Sequence, residues 1–574
     1  MGGKLHNSIK TFLSDPKIIF WFYILVNMIP SILLVFTEPL NIWGKIILII
    51  FPLGVYLFFF SLSKNTGLIQ LILFPFVILH AFQIVLLYLF GEAVIAVDMF
   101  LNVVTTNASE AGEVLNSLWP SIIFVILIYI PAIIIAVRQC RQKNYLDSVY
   151  RKKMITAGIV SVVISYVFSF WAKDINTNEY SYNNDVYPVN MLYNLDFAVK
   201  KWKKSNSYAE TSKDFTFNAS KKSGSTNHKR EIYVMVIGET SRAENWSLYG
   251  YERNTTPKLE QKSGLVYFPD AITQSNTTHK SVSIMLSAAS AEDYDIIYNQ
   301  KSIIQAFKEV GFVTAFLSNQ GANHTFTQFF AEQADIYRNI RSLDNIGINT
   351  ENNYDEALFP YLKNCIDSVS ENMFIVLHTY GSHFNYKERY PDNFSIFKPD
   401  NVKGISRGEK EKMVNAYDNT IIYTDDFLSR LIDIVDETDA CSSVFFSSDH
   451  GEDILDDQRM RFLHASPTPT FYQLKIPMFV WFSENYRNSF PRKVDAAIMN
   501  KNKPVATNAV FHTLLDMADI ETVYFEPDLS LLCKYFKKRK RMYLDDHDNP
   551  TFFYNMNLKK EDKQMISKRN MFVE

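Results

Sequence analysis

The long apolar runs in the first 171 residues constrain this chain more than any other feature. Segments at about 18–36, 46–62, 68–90, 118–137 and 154–171 contain no Asp, Glu, Lys or Arg. Each approaches or reaches the ~20 residues a helix needs to cross a hydrocarbon core. We therefore expect residues 1–171 to form a transmembrane domain of five spans. A signal peptide would explain only the first segment, and no small-residue cleavage site follows it.

The loops give a direction. Lys4, Lys10 and Lys17 precede the first span, and Arg138, Arg141, Lys143, Arg151, Lys152 and Lys153 lie between the fourth and fifth. The loop at 91–117 holds Glu92, Asp98, Glu110 and Glu113 and no cation. The positive-inside bias places the N-terminus in the cytoplasm, so an odd number of spans leaves everything after Trp171 outside. Within the spans, His80 and Gln83 read as groups paired inside the bundle or facing a substrate. The acidic loop has apolar residues at helical spacing, as a helix lying on a membrane surface would.

Cys140, Cys365, Cys441 and Cys533 are widely spaced and form neither a zinc-ligand motif nor a disulfide framework. A net charge of −3 gives no reason to expect a nucleic-acid partner.

Residues 172–229 turn polar and read as a bridging segment and linker, leaving 230–574 as an outer domain. There "IYVMVIG" (232–238), "FVTAFLS" (312–318), "MFIVLHT" (373–379), "SVFFSS" (443–448) and "IPMFVWF" (476–482) read as fully buried strands. Helical patterns in "SIIQAFKEV" and at 410–436 separate them, which predicts an α/β domain with a mostly parallel sheet covered on both faces. In such sheets the chemistry collects beyond the strand C-termini.

Glu239 stands beyond the first strand, His383 beyond the third, and Asp449, His450 and Glu452 beyond the fourth; His464 follows soon after. Carboxylates and imidazoles converging on one edge are costly without a cation, and mixed oxygen and nitrogen donors suit zinc. The hydroxyl-rich "TQSNTTHKSVSIMLSA" (273–288) supplies nucleophiles that a metal would activate: Thr277, Thr278, Ser281 or Ser283.

Taken together, "VMVIGETSRAENWSLYGYERNTTPKL", "NTTHKSVSIMLS", "LHTYGSHFNYKERYP", "NAYDNTIIYTDDFL" and "FFSSDHGE" resemble the bacterial phosphoethanolamine transferases, which modify lipid A or lipopolysaccharide core. The resemblance implies a five-helix membrane bundle followed by an alkaline phosphatase/sulfatase-like domain, multi-pass in the inner membrane with the catalytic domain in the periplasm. It places zinc, one ion with a second possible, on Glu239, Thr278, Asp449 and His450, and makes Thr278 the nucleophile. It assigns His383 and His464 to the phosphorylated intermediate or a second zinc, and Asn102 and Thr106 to the donor lipid. The implied partners are a membrane, a phosphatidylethanolamine donor and an envelope glycolipid or glycan acceptor. Cysteines that flank the nucleophile in lipid A enzymes are absent, and His279 and Lys280 replace small residues, which brings the chain nearer the core-sugar transferases. The competing readings are a phosphoglycerol transferase, a sulfatase-like hydrolase, and a membrane sensor or scaffold with a degenerate site.

Overall fold

The computed structural model describes residues 15–105, 118–142, 144–175, 178–222, 229–321, 325–341, 354–404, 406–553, 556 and 558–571. The chain divides into two compact units, residues 1–100 with 118–198 and residues 101–117 with 199–574.

In the first unit, α1 (Pro16–Thr37) and α2 (Ile42–Leu62) are long and apolar enough to span a membrane. The third expected span is broken: α3 (Thr66–Ile72) and α4 (Phe74–Phe90) meet at a 63° bend. Pro75 lies in the first turn of α4; its ring and missing N–H disfavour a continuous helix through Leu73 and Phe74. Helix α5 (Val97–Thr105) occupies part of the acidic loop, and α6 (Trp119–Gln142) and α7 (Ser148–Ser169) complete the set. Among the described residues there are thus four helices long and apolar enough to span a membrane and one bent pair, which make up to five spans if the pair counts as one.

Close packing explains part of this bundle. A Cβ on Gly54 of α2 would meet the Gly158 carbonyl of α7 at 2.8 Å, so small residues let the two backbones touch. Several buried polar groups are paired: Asn27 donates to Gln70 at 2.8 Å, His80 meets the Tyr56 hydroxyl at 3.1 Å, and Gln83 bridges Ala93 and Ile95. Large apolar residues such as Leu25, Leu127 and Ile134 instead face outward. The bridging segment contains a helix, α8 (Val189–Asn206).

The second unit is built on a seven-stranded sheet: β1 (Glu231–Gly238), β2 (Leu265–Tyr267), β3 (Val313–Ser318), β4 (Ile336–Asn339), β5 (Met373–His378), β6 (Cys441–Ser448) and β7 (Met478–Phe482), in the order β2-β7-β6-β1-β5-β3-β4. β6, β1, β5, β3 and β4 are mutually parallel. The central β1 is buried along its whole length because both faces are covered. Ile232, Val234 and Val236 pack on one side with Met413, Tyr417 and Ile421 of α10 (Lys410–Asp436), and Tyr233, Met235 and Ile237 pack on the other with Val282 and Met285.

The sheet is mixed: β7 runs antiparallel to both β6 and β2, the exception within the mostly parallel arrangement expected from the sequence. A parallel return would need a crossover to the opposite sheet edge. Residues 449–477 contain Asp449, His450, Glu452 and His464 and remain at the C-terminal edge, so the chain re-enters the sheet from there. None of Cys140, Cys365, Cys441 and Cys533 forms a disulfide.

Candidate active site

Three adjacent parallel strands deliver the site. Ile237 of β1 pairs with His378 of β5 and with Ser447 of β6, so the residues after β1 and β6 emerge side by side. Glu239 follows β1, and Asp449 and His450 follow β6. Thr278 enters from another direction as the first residue of α9 (Thr278–Leu286), where backbone N–H groups lack intrahelical acceptors and the helix dipole favours an anion.

Of the four hydroxyls left open by the sequence, Thr278 occupies the cluster. Its Oγ1 lies 3.2 Å from Glu239 Oε1 and 3.2 Å from His450 Nε2. Ser281 instead donates to the Asp449 carbonyl at 2.6 Å, Ser283 donates to the Lys280 carbonyl, and Thr277 meets Ser275.

Asp449 Oδ1 accepts from the backbone N–H groups of Thr240 at 3.0 Å and His450 at 2.7 Å. Its Oδ2 is buried without a hydrogen-bond partner and stands 3.1 Å from His450 Nε2. A glycine is required between His450 and Glu452, because a Cβ on Gly451 would be driven into the Tyr472 carbonyl oxygen and would press on Arg242.

The histidines share a pattern. His450 Nδ1 lies 3.0 Å from the Gly451 carbonyl, and His383 Nδ1 lies 2.7 Å from that of Phe384. A carbonyl can only accept, so both rings carry the proton on Nδ1. His464 Nδ1 meets Glu452 Oε1 at 3.1 Å, and its ring lies 4.2 Å from that of His450 and 6.2 Å from that of His383. Burial lowers His450 and His464 to about 4 and pushes His383 well below the usual imidazole range, so these rings are neutral at pH 7. Burial also pushes the Glu452 carboxyl up, opposed by the Tyr386 hydrogen bond and by His450 and Arg242.

The donor set fits a metal. Glu239, His450 and His464 each offer one ligand atom, and these atoms lie within 4.8 Å of one another. Beside them stands the orphaned Asp449 Oδ2. A buried carboxylate oxygen without a partner is expensive, and carboxylate with imidazole is a zinc-type donor set.

Some groups at the site were not assigned from the sequence. Gln320 donates to Glu239 Oε2 at 3.1 Å and to the Thr379 carbonyl at 2.7 Å. His378, 1% exposed, lies 3.8 Å from Glu239 Oε2 with neither ring nitrogen hydrogen-bonded. Both stand just at or beyond strand ends, the signal that would have found them. Asn102 lies in α5, partly buried, and Thr106 is outside the described residues.

Residues 231–520, slightly more than half of the chain, match the sulfatase family. The chain belongs to that family. Ahead of its sulfatase-type domain, residues 53–202 match the phosphoethanolamine transferase EptA/EptB family. Phosphoethanolamine transferase EptA of Escherichia coli K12 is 33% identical over 312 residues, covering 52% of this chain and 55% of that protein. Kdo(2)-lipid A phosphoethanolamine 7''-transferase of the same organism is 30% identical, covering 53% of each. The chain thus spans about half the length of the curated relatives it matches. The integral membrane lipooligosaccharide phosphoethanolamine transferase A of Neisseria meningitidis has the same fold, with a TM-score of 0.71 at 20% identity over 88% of this chain and 97% of that one. The C-terminal periplasmic domain of E. coli EptC, solved in complex with Zn, aligns at 25% identity and a TM-score of 0.52, covering 59% and 96%.

Proposed function

We propose that this sulfatase-family chain is a zinc-dependent phosphoethanolamine transferase of the inner membrane, with its catalytic unit in the periplasm. It moves phosphoethanolamine from phosphatidylethanolamine to a lipopolysaccharide, lipid A or other envelope glycan acceptor. The observation that carries this reading is the position of Thr278 Oγ1, 3.2 Å from both Glu239 Oε1 and His450 Nε2 at a helix N-terminus.

Glu239, Asp449, His450 and Thr278 would hold the zinc. When bound, it supplies Lewis-acid chemistry: it lowers the pKa of the hydroxyl it contacts and offsets phosphoryl charge. In the first half-reaction Thr278 Oγ1 forms a bond to phosphorus, the bond to the diacylglycerol oxygen breaks, and diacylglycerol leaves with a proton. In the second, the acceptor oxygen bonds to phosphorus, the Thr278 Oγ1–phosphorus bond breaks, and the acceptor's proton passes to His383. The Phe384 carbonyl holds that ring by Nδ1, which leaves Nε2 to take the proton. The first turn of α9 stabilises the phosphoryl oxygens. Asn102 and Thr106 hold the donor lipid, and the membrane helices keep donor and nucleophile together.

The test is reconstitution of the full chain in vesicles holding headgroup-labelled phosphatidylethanolamine and envelope glycolipid. Label should appear on the glycolipid, with mass spectrometry of the product naming the acceptor group. Label released only as free phosphoethanolamine would mark a hydrolase instead.

A further inference from the structure

The three site histidines are held in different ways. His450 and His383 are each fixed by the carbonyl of the residue next in sequence, a lock that the local backbone supplies. His464 has no such carbonyl. It lies between Leu463 and Ala465, both in the left-handed backbone region, with φ of 66° and 59°. Its Nδ1 reaches a carboxylate from another segment, Glu452 Oε1, at 3.1 Å.

A short antiparallel ladder sets this pairing. Phe462 pairs with Ile454 and Leu463 with Asp453, so the next step of the register puts His464 opposite Glu452. Glu452 is fully buried, and its second oxygen, Oε2, accepts from the Tyr386 hydroxyl at 2.9 Å. Tyr386 is itself buried, in edge-to-face contact with Tyr417. The result is a chain of hydrogen bonds from Tyr386 through Glu452 to His464.

We propose that Glu452 is a positioning residue, which holds His464 as the Nδ1–H tautomer and turns its Nε2 lone pair toward the cluster made with Glu239 and His450. In that tautomer Nε2 is a ligand or a proton acceptor, not a neutral hydrogen-bond donor. Of these three rings, His464 is the one whose Nδ1 meets a carboxylate rather than a backbone carbonyl, the kind of partner that raises the basicity of a ligating imidazole. This rests on the metal reading of the site proposed above and extends it to His464, whose ligand atom lies within 4.8 Å of those of Glu239 and His450.

The test is zinc affinity of the full-length protein in detergent, measured by competition with a chromophoric chelator. Glu452→Met should weaken zinc binding by about 10–100-fold, the usual cost of losing a partner that orients a metal-binding histidine. His464→Ala should lose a similar factor, and the double variant should lose little more. Glu452→Gln keeps an acceptor for Nδ1–H and should recover most of the affinity, which a purely structural role of the charge would not predict. Tyr386→Phe, which leaves the carboxylate in place but frees Oε2, should give an intermediate loss and serves if Glu452→Met does not fold. The inference is overturned if zinc affinity is unchanged in Glu452→Met or Tyr386→Phe, or if the Glu452 and His464 losses are fully additive. A parent protein that binds no zinc would instead sink the metal reading itself.

Discussion

Asp449→Asn separates the two opposing electrostatic effects at the site. Asp449 and Glu239 are 0% and 1% exposed, and each has an oxygen close to His450 Nε2, at 3.1 and 3.8 Å. The two carboxylate oxygens are therefore no more than about 7 Å apart, where two unit charges at an effective dielectric of ~20 repel by about 2 kcal/mol. With a chelator present nothing offsets that repulsion. Asparagine keeps the Oδ1 acceptor for the Thr240 and His450 N–H groups and places an amide N–H 3.1 Å from His450 Nε2, which becomes its acceptor. The variant should thus be more stable than the parent in chelator by about 2 kcal/mol, or ~4 °C at ~2 °C per kcal/mol. Saturating zinc reverses the order: at ~1,000 times Kd it adds about 4 kcal/mol to the parent and little to a variant lacking the ligand. Thermal unfolding of the full chain in detergent, followed by tryptophan fluorescence with chelator and with zinc, measures both arms. An Asp449→Asn protein that melts below the parent in chelator would refute the repulsion argument. Equal stabilisation of both proteins by zinc would remove Asp449 from the ligand set.

Other outcomes follow from the same geometry. Gly451→Ala should cost about 1–3 kcal/mol of stability through overpacking against Tyr472 and Arg242, seen as a lower melting temperature. Ser281→Ala should cost about 1–3 kcal/mol, because its bond to the Asp449 carbonyl is lost, yet keep the labelled-enzyme intermediate that Thr278→Ala loses. His512, which is buried, is lowered from 6.5 to about 4 by burial and by Arg539. Its lowered folded pKa means the unfolded chain binds the proton first, so its contribution is full above pH 6.5 and falls as pH drops toward 4. By pH 5 the loss is roughly 2 kcal/mol, and His512→Gln should show a correspondingly shallower fall in melting temperature between pH 7.5 and 5.

The sequence made some levels of this structure legible because single physical rules decide them. Continuous apolar runs bounded by polar residues located β1, β3, β5, β6 and β7 within a few residues. The two-faced burial of β1 follows from having no polar position to expose. Edge strands were harder: β2 and β4 are three and four residues long and only partly buried, so they lack the apolar signal. Direction was harder still, since the pattern of β7 is the same whether it pairs parallel or antiparallel. In the membrane unit hydropathy averaged over the break at Leu73, and Pro75 was the local sign of it.

At the site, strand-end position picked out Glu239, Asp449 and His450, but pairing across segments was invisible. Glu452 and His464 lie twelve residues apart, and only the ladder register brings them face to face. Gln320 and His378 gain interest only through their distances to Glu239. The choice of Thr278 over Ser281 is likewise geometric, because both hydroxyls sit in the same motif and only one of them faces Glu239 and His450.

The most direct test of the account is to find where the transferred group rests between donor and acceptor. The full chain should be incubated with phosphatidylethanolamine and no acceptor, digested, and its peptides mapped by mass spectrometry. A phosphoethanolamine increment should appear on Thr278 and be discharged when acceptor glycolipid is added. An increment on another residue, or transfer to acceptor with the enzyme never modified, would contradict the account.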